Sequence, residues 1–223
     1  QRVDGLIIVR TRLDDWRIRY LHSIDFPFVS FGRTEDQFDF SYVDTDGHAG
    51  MRAVMDHLVR MGHTRIGFVA APLDLYLTRA RLTGYQEGLA AHNIAFDESL
   101  VVAGDLMQQS GYNAARQLLA LAQRPSAIVA CNDLMAMGAM SAIQESGLVV
   151  GKDVAVTGFD GIPQSEHTHP PLTTAYQPVY EIGQRVTRML IDLLNKRPLA
   201  ETRILIQPQL VVRASSENHR RTA

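Results

Sequence analysis

The chain has 223 residues, 46% of them hydrophobic, enough to bury a sizeable core in one large α/β domain or two small ones. Its formal net charge of -2 supplies no positive field to favour nucleic acid or an anionic membrane, so DNA contact by this chain alone is not indicated. The single cysteine, Cys131, excludes an internal disulfide framework, and no apolar run is long enough for a membrane span, which together point to a reducing, cytoplasmic setting. A start at Gln1 rather than Met reads as a piece of a longer protein.

Residues 3–9 (VDGLIIV) are a continuous apolar run of the kind buried on both faces of a parallel sheet. Asp14 and Asp15 cap a helix through Leu21, and residues 26–31 give the next strand, closed by Gly32 and Arg33, which completes a βαβ unit. Residues 40–43 predict a short strand leading to Asp44 and Asp46, after which Met51, Val54, Leu58 and Met61 recur with helical spacing. Gly62 ends that helix. A β-branched strand over 64–70 follows, then an amphipathic helix over 77–93 with Leu82, Tyr85 and Leu89 inward and Arg79 and Arg81 on its first turns. A strand at 100–103 and a helix at 110–122 continue the alternation.

The segment from 126 to 177 is the centre of the chain. Residues 126–130 form a short apolar strand that feeds through Asn132 and Asp133, both good N-cap residues, into an apolar helix over 134–143. A second β-branched strand, 154–158, stops at Phe159, Asp160 and Gly161. Ligands bind in the crevice outside the carboxyl ends of parallel strands, which makes Asn132 and Asp160 wall residues of one pocket; capping and turn formation alone account for the same two residues. Val179, Ile182, Val186, Met189 and Leu193 mark one more long helix, strands at 203–206 and 210–213 close the chain, and the polar tail 215–223 is expected to be disordered. Strands alternating with helices at this spacing predict an α/β fold of parallel sheets covered on both faces, in one sheet or two.

Other constellations carry little chemistry. Met135, Met137 and Met140 lie in a helix apolar almost all round, which means burial. His167 and His169 have no identifiable third ligand, Cys131 has no base beside it, and neither GxGxxG nor GxxxxGK[ST] occurs, so no metal, cofactor or enzyme is read here.

The phrases VDGLII, FVSFGR, VDTDGHAGMRAVMDHLVRMGHTRIGFVAAP, RLTGYQEGL, AIVACNDLMAMGAM, VAVTGFDG, PPLTTAYQP and QPQLVVRASS follow one another over nearly the whole chain. In that order they resemble the ligand-binding core of the lactose and galactose repressor family of bacterial transcription regulators. The resemblance implies a periplasmic-binding-protein-like pair of doubly wound parallel-sheet subdomains with three crossovers, near Tyr42, Gln177 and Pro208. Residues 1–42 with 178–206 would form the N-terminal subdomain, and 43–177 with 207–214 the C-terminal one. The family sets two further βα units and a helix-turn-helix headpiece before the position of Val3; without them the N-terminal subdomain is incomplete, and weak ligand binding by this chain alone is expected.

The implied site is the cleft between the subdomains, where paired hydrogen bonds from planar polar groups grip neighbouring hydroxyls. Arg81, in RLTGY, corresponds to a family arginine that reaches into the cleft, although by itself it reads equally as a solvated helix residue. Asn132 and Asp160 correspond to pocket residues, and Gln177 lies at a crossover where it can face the ligand. Phe159 and Tyr42 are candidates for an apolar face. Leu106 stands where the family often places an aromatic, which turns the expectation from a purine toward a sugar or sugar derivative. The implied function is the effector-sensing and homodimerisation core of a transcriptional regulator, a repressor, that reaches operator DNA through the headpiece. A solute receptor of a sugar transporter is the alternative, and an enzyme on an α/β scaffold a further one.

Overall fold

In the computed structural model, which describes residues 3–36 and 38–217, the strands segregate into two sheets. The smaller contains β1 (Leu6–Val9), β2 (Phe28–Phe31), β3 (Tyr42–Thr45) and β9 (Arg203–Ile206), all parallel, in the order β1-β2-β3-β9. Successive side chains of a strand face opposite sides. Phe28 therefore joins Ile8 beneath Ile18 and Leu21 of α1 (Trp16–Ser23), while Val29 joins Val43 beneath Ile182, Val186 and Met189 of α6 (Val179–Leu194). Each helix is amphipathic because it has only one face to bury.

The larger sheet has six strands: β4 (Ile66–Ala70), β5 (Val101–Ala103), β6 (Ala127–Ala130), β7 (Ala155–Asp160), β8 (Thr173–Tyr176) and β10 (Gln209–Val211), in the order β10-β8-β7-β6-β4-β5. β4 and β6 are buried along their whole length, as parallel strands covered on both faces must be. The covers are two helix pairs, α2 (Gly47–Arg60) with α3 (Tyr76–Ala91), and α4 (Gln108–Leu119) with α5 (Asp133–Glu145). α4 and α5 approach so closely that a Cβ on Gly138 would lie 2.0 Å from the carbonyl oxygen of Gln108.

Four expectations need correction. β1 is not buried on both faces: it pairs with β2 alone among the described residues, at the edge of the small sheet, and only its Ile8 is buried. The first crossover, expected near Tyr42, comes after Thr45, because Tyr42–Thr45 still pairs with β2 and β9. The large sheet is not wholly parallel. β8, a Thr-rich strand that the sequence reading passed over, runs parallel to β7, and β10 pairs with it antiparallel. Ser215 and Ser216, placed in a disordered tail, are fully buried. Ser215 Oγ donates to the Val156 carbonyl at 2.6 Å and accepts from Thr173 N at 2.8 Å, and Ser216 Oγ lies 2.8 Å from His57 Nε2. The rest of that tail from 218 on lies outside the described residues.

Candidate functional site

A cavity of about 540 Å³ opens where the carboxyl ends of strands from both sheets face each other. Val9, Phe31, Asp44 and Thr45 line it from the small sheet, and Arg81, Leu106, Asn132, Asp160 and Gln177 from the large one with its helices. The crevice outside the carboxyl ends of parallel strands is where open α/β sheets bind ligands.

Arg81 sits on the second turn of α3 and is 5% exposed. One of its terminal nitrogens donates to the Cys131 carbonyl and the other to Asp160 Oδ1 at 3.3 Å, while its guanidinium carbon lies 3.6 Å from the ring centroid of Phe159. Its Nε is buried and has no hydrogen-bond partner among the described residues. Phe159 is thus the floor beneath the arginine rather than a wall of the cavity: it is fully buried, because β7 turns it inward and Asp160 outward.

Asp160 ends β7 with φ 114°, a conformation rare for a non-glycine residue. Its Oδ1 accepts from Gln177 Nε2 at 2.8 Å as well as from Arg81, and its Oδ2 accepts no hydrogen bond among the described residues. The side chain keeps 24% of its surface open. Burial pushes the carboxyl above its usual range, although Arg81 and Gln177 pull the other way.

Gln177, between β8 and α6, joins the two sheets. Its Oε1 accepts from Thr45 Oγ1 of β3 at 2.8 Å while its amide nitrogen holds Asp160. Asn132 does both things its sequence position allowed: Oδ1 caps α5 through Met135 N and Nδ2 donates to the Leu106 carbonyl, both at 3.0 Å, while the residue lines the cavity. Arg81, Asn132, Asp160 and Gln177 are therefore brought together, and Tyr42 is not among the residues that line the cavity: its ring lies 5.8 Å from that of Phe40.

Sequence reasoning missed Asp44, Thr45 and Arg10. Asp44 and Thr45 end β3 and Arg10 follows β1, so the same strand-end rule that selected Asn132 and Asp160 would have selected them. Asp44 pairs with Arg33 at 2.7 Å, and burial raises its carboxyl despite that partner. Cys131 is fully buried and burial pushes its thiol up, away from nucleophilic character. Together these groups can grip hydroxyls: one open carboxylate oxygen, an arginine fixed over a ring, and amides locked in place.

Residues 55–216 match the family described as periplasmic binding protein-like domain. The chain is 36% identical over 219 residues to the HTH-type transcriptional regulator CelR of Thermobifida fusca, an alignment taking in 96% of this chain and 64% of that protein. The chain thus spans less than two thirds of the length of that relative. A regulatory protein of the LacI family from Chloroflexus aggregans superposes with a TM-score of 0.86 at 36% identity, over 97% of this chain and 78% of that one. A complex of the transcriptional regulator CelR with cellobiose superposes with a TM-score of 0.90 at 35% identity, over 96% of this chain and 66% of the other.

Proposed function

This chain belongs to the LacI family, and we propose that it is the effector-sensing core of a transcriptional regulator, binding a carbohydrate in the cavity between its two sheets. The observation that carries the reading is the run of hydrogen bonds from Thr45 through Gln177 and Asp160 to Arg81, which spans both sheets and leaves Asp160 Oδ2 open to a ligand hydroxyl. The similar CelR was solved with cellobiose, which supports a sugar as ligand. We infer two subdomains, one around each sheet, whose relative arrangement the ligand shifts. The Thr45–Gln177 bond exists only while the sheets stay close, so a ligand that favours closure favours that bond. Coupling of this kind typically amounts to about 1–3 kcal/mol and requires that the ligand contact the two arrangements differently.

In the whole protein this core works as a cytoplasmic homodimer that represses transcription, with operator DNA held by a headpiece outside this chain. The cavity supplies binding and positioning, and no catalytic step is assigned to it. The test is calorimetric titration of the full-length protein with neutral and acidic mono- and disaccharides. At least one is expected to bind with one molecule per chain and to change affinity for DNA; binding by none of them would overturn the carbohydrate reading.

A further inference from the structure

We propose that the effector is an acidic carbohydrate, a uronate or a sugar phosphate, whose anionic group is taken by Arg10 while its hydroxyls meet Asp160; this rests on the carbohydrate reading above. Four charged side chains line the cavity: Arg10, Asp44, Arg81 and Asp160. Three of them are neutralised within the protein, Arg81 by Asp160 at 3.3 Å and Asp44 by Arg33 at 2.7 Å. The Arg10 side chain has neither a carboxylate at ion-pair distance nor a hydrogen bond among the described residues. Among the described residues the cavity therefore keeps one positive charge, on the exposed Arg10 side chain, that no carboxylate meets, and a neutral ligand would leave it to water.

The backbone carrying Arg10 is held in a way that a merely solvated arginine does not require. At φ 52° it lies in the left-handed region that side-chain-bearing residues rarely adopt. A terminal nitrogen of Arg17 grips the carbonyls of Val9 and Arg10, at 3.3 and 3.1 Å. Arg17 is in turn fixed by two contacts to Asp15, at 2.7 and 2.9 Å, whose side chain is fully buried and also accepts from Arg12 N. Strained backbone over-determined by its surroundings concentrates at ligand sites. A guanidinium presents a planar fork that matches carboxylate or phosphate oxygens. Asp160, ending β7 of the other sheet, accepts from hydroxyls and repels anions, so the ligand's charge belongs toward Arg10 and its hydroxyls toward Asp160.

The experiment is titration of the full-length protein with D-glucuronate, D-glucose 6-phosphate, D-glucose, cellobiose and inorganic phosphate, for wild type, Arg10→Gln and Arg10→Lys. Expected is tighter binding of at least one acidic sugar than of either neutral one. Arg10→Gln is expected to lower that acid-to-neutral ratio about fivefold, as for a partly exposed charge pair, and Arg10→Lys to restore part of it. Added salt should weaken acidic-sugar binding alone. Neutral sugars binding as tightly as the acidic ones, a ratio indifferent to Arg10→Gln, or inorganic phosphate binding as well as glucose 6-phosphate would each overturn the acidic-sugar assignment while leaving a carbohydrate site in place. Binding of no sugar at all would remove both.

Discussion

Replacing Thr45 by Val removes one hydroxyl and little else. Thr45 closes β3, is 6% exposed, and donates from Oγ1 to Gln177 Oε1 at 2.8 Å. Valine keeps the β-branched shape and the backbone pairing of residue 45 with Ile206. What is lost is a neutral hydrogen bond, and what is left is a Gln177 carbonyl, on a residue 7% exposed, without its donor. An unmet buried acceptor costs about 1–3 kcal/mol. If the bond belongs to the ligand-bound arrangement while water serves Gln177 when the sheets part, that cost appears in affinity, as a loss of about fivefold to 150-fold. The assay is calorimetric titration of full-length wild type and Thr45→Val with a sugar that binds, beside urea unfolding of both. Thr45→Ser, which keeps the hydroxyl, should bind like wild type. A Thr45→Val protein that binds within about twofold of wild type, with an unmoved urea midpoint, would refute any role of this bond in joining the sheets.

Other perturbations read other parts of the structure. Burial pushes the Asp133 carboxyl up to about 6 from an ordinary 3.8, outweighing its hydrogen bonds from Thr174 and Ile162 N. The folded protein therefore holds this proton after the unfolded chain has lost it, so the stability it contributes is complete below pH 3.8 and disappears as pH rises through about 6. The gap corresponds to about 3 kcal/mol. Urea stability measured across that window should fall in wild type, and a slope unchanged in Asp133→Asn would exclude Asp133 as the source. Gly138→Ala drives a Cβ against the backbone of α4 and should cost about 3 kcal/mol, visible as a lower urea midpoint; an unshifted midpoint would mean that the helices separate freely. Phe159→Leu removes the ring beneath Arg81, a desolvated contact worth about 1–2 kcal/mol, and should weaken sugar binding roughly five- to thirtyfold. Unchanged affinity would show that Arg81 needs no such floor.

Much of the fold was legible because its signals are local. The β6–α5 junction reads directly from an apolar run followed by an N-cap residue, and Asn132 does cap α5. Asp160 was legible because β7 ends there, and the rule about strand ends is topological rather than sequence-specific. The misreadings depend on partners far away in the chain. β8 carries no strand signal of its own, and what fixes its threonines is remote: Thr174 donates to Asp133, 41 residues earlier, and Thr173 meets Ser216 at 2.7 Å. Ser215 and Ser216 look like tail residues because the strands that satisfy their hydroxyls lie 42 to 59 residues away. Phe159 is a candidate because it adjoins Asp160 and Tyr42 because it adjoins a crossover, but β-strand alternation buries Phe159 beneath Arg81, and Tyr42 is not among the residues that line the cavity. Arg10 follows the end of β1 and so falls under the same strand-end rule, but that the other charges of the cavity are paired while it is not emerges only from the assembled cavity.

The sharpest measurement is a calorimetric comparison of full-length wild type with Asp160→Asn, titrated with the same sugar. Asparagine also tolerates positive φ, so the backbone at 160 is kept while the charge facing both Arg81 and the open cavity is removed. A hydrogen bond to a charged group contributes about 1.5–3 kcal/mol, so one sugar per chain for wild type and affinity at least tenfold weaker for the variant are expected. Equal affinities would mean that no ligand hydroxyl meets this carboxylate, and that the cavity between the sheets is not where the effector is recognised.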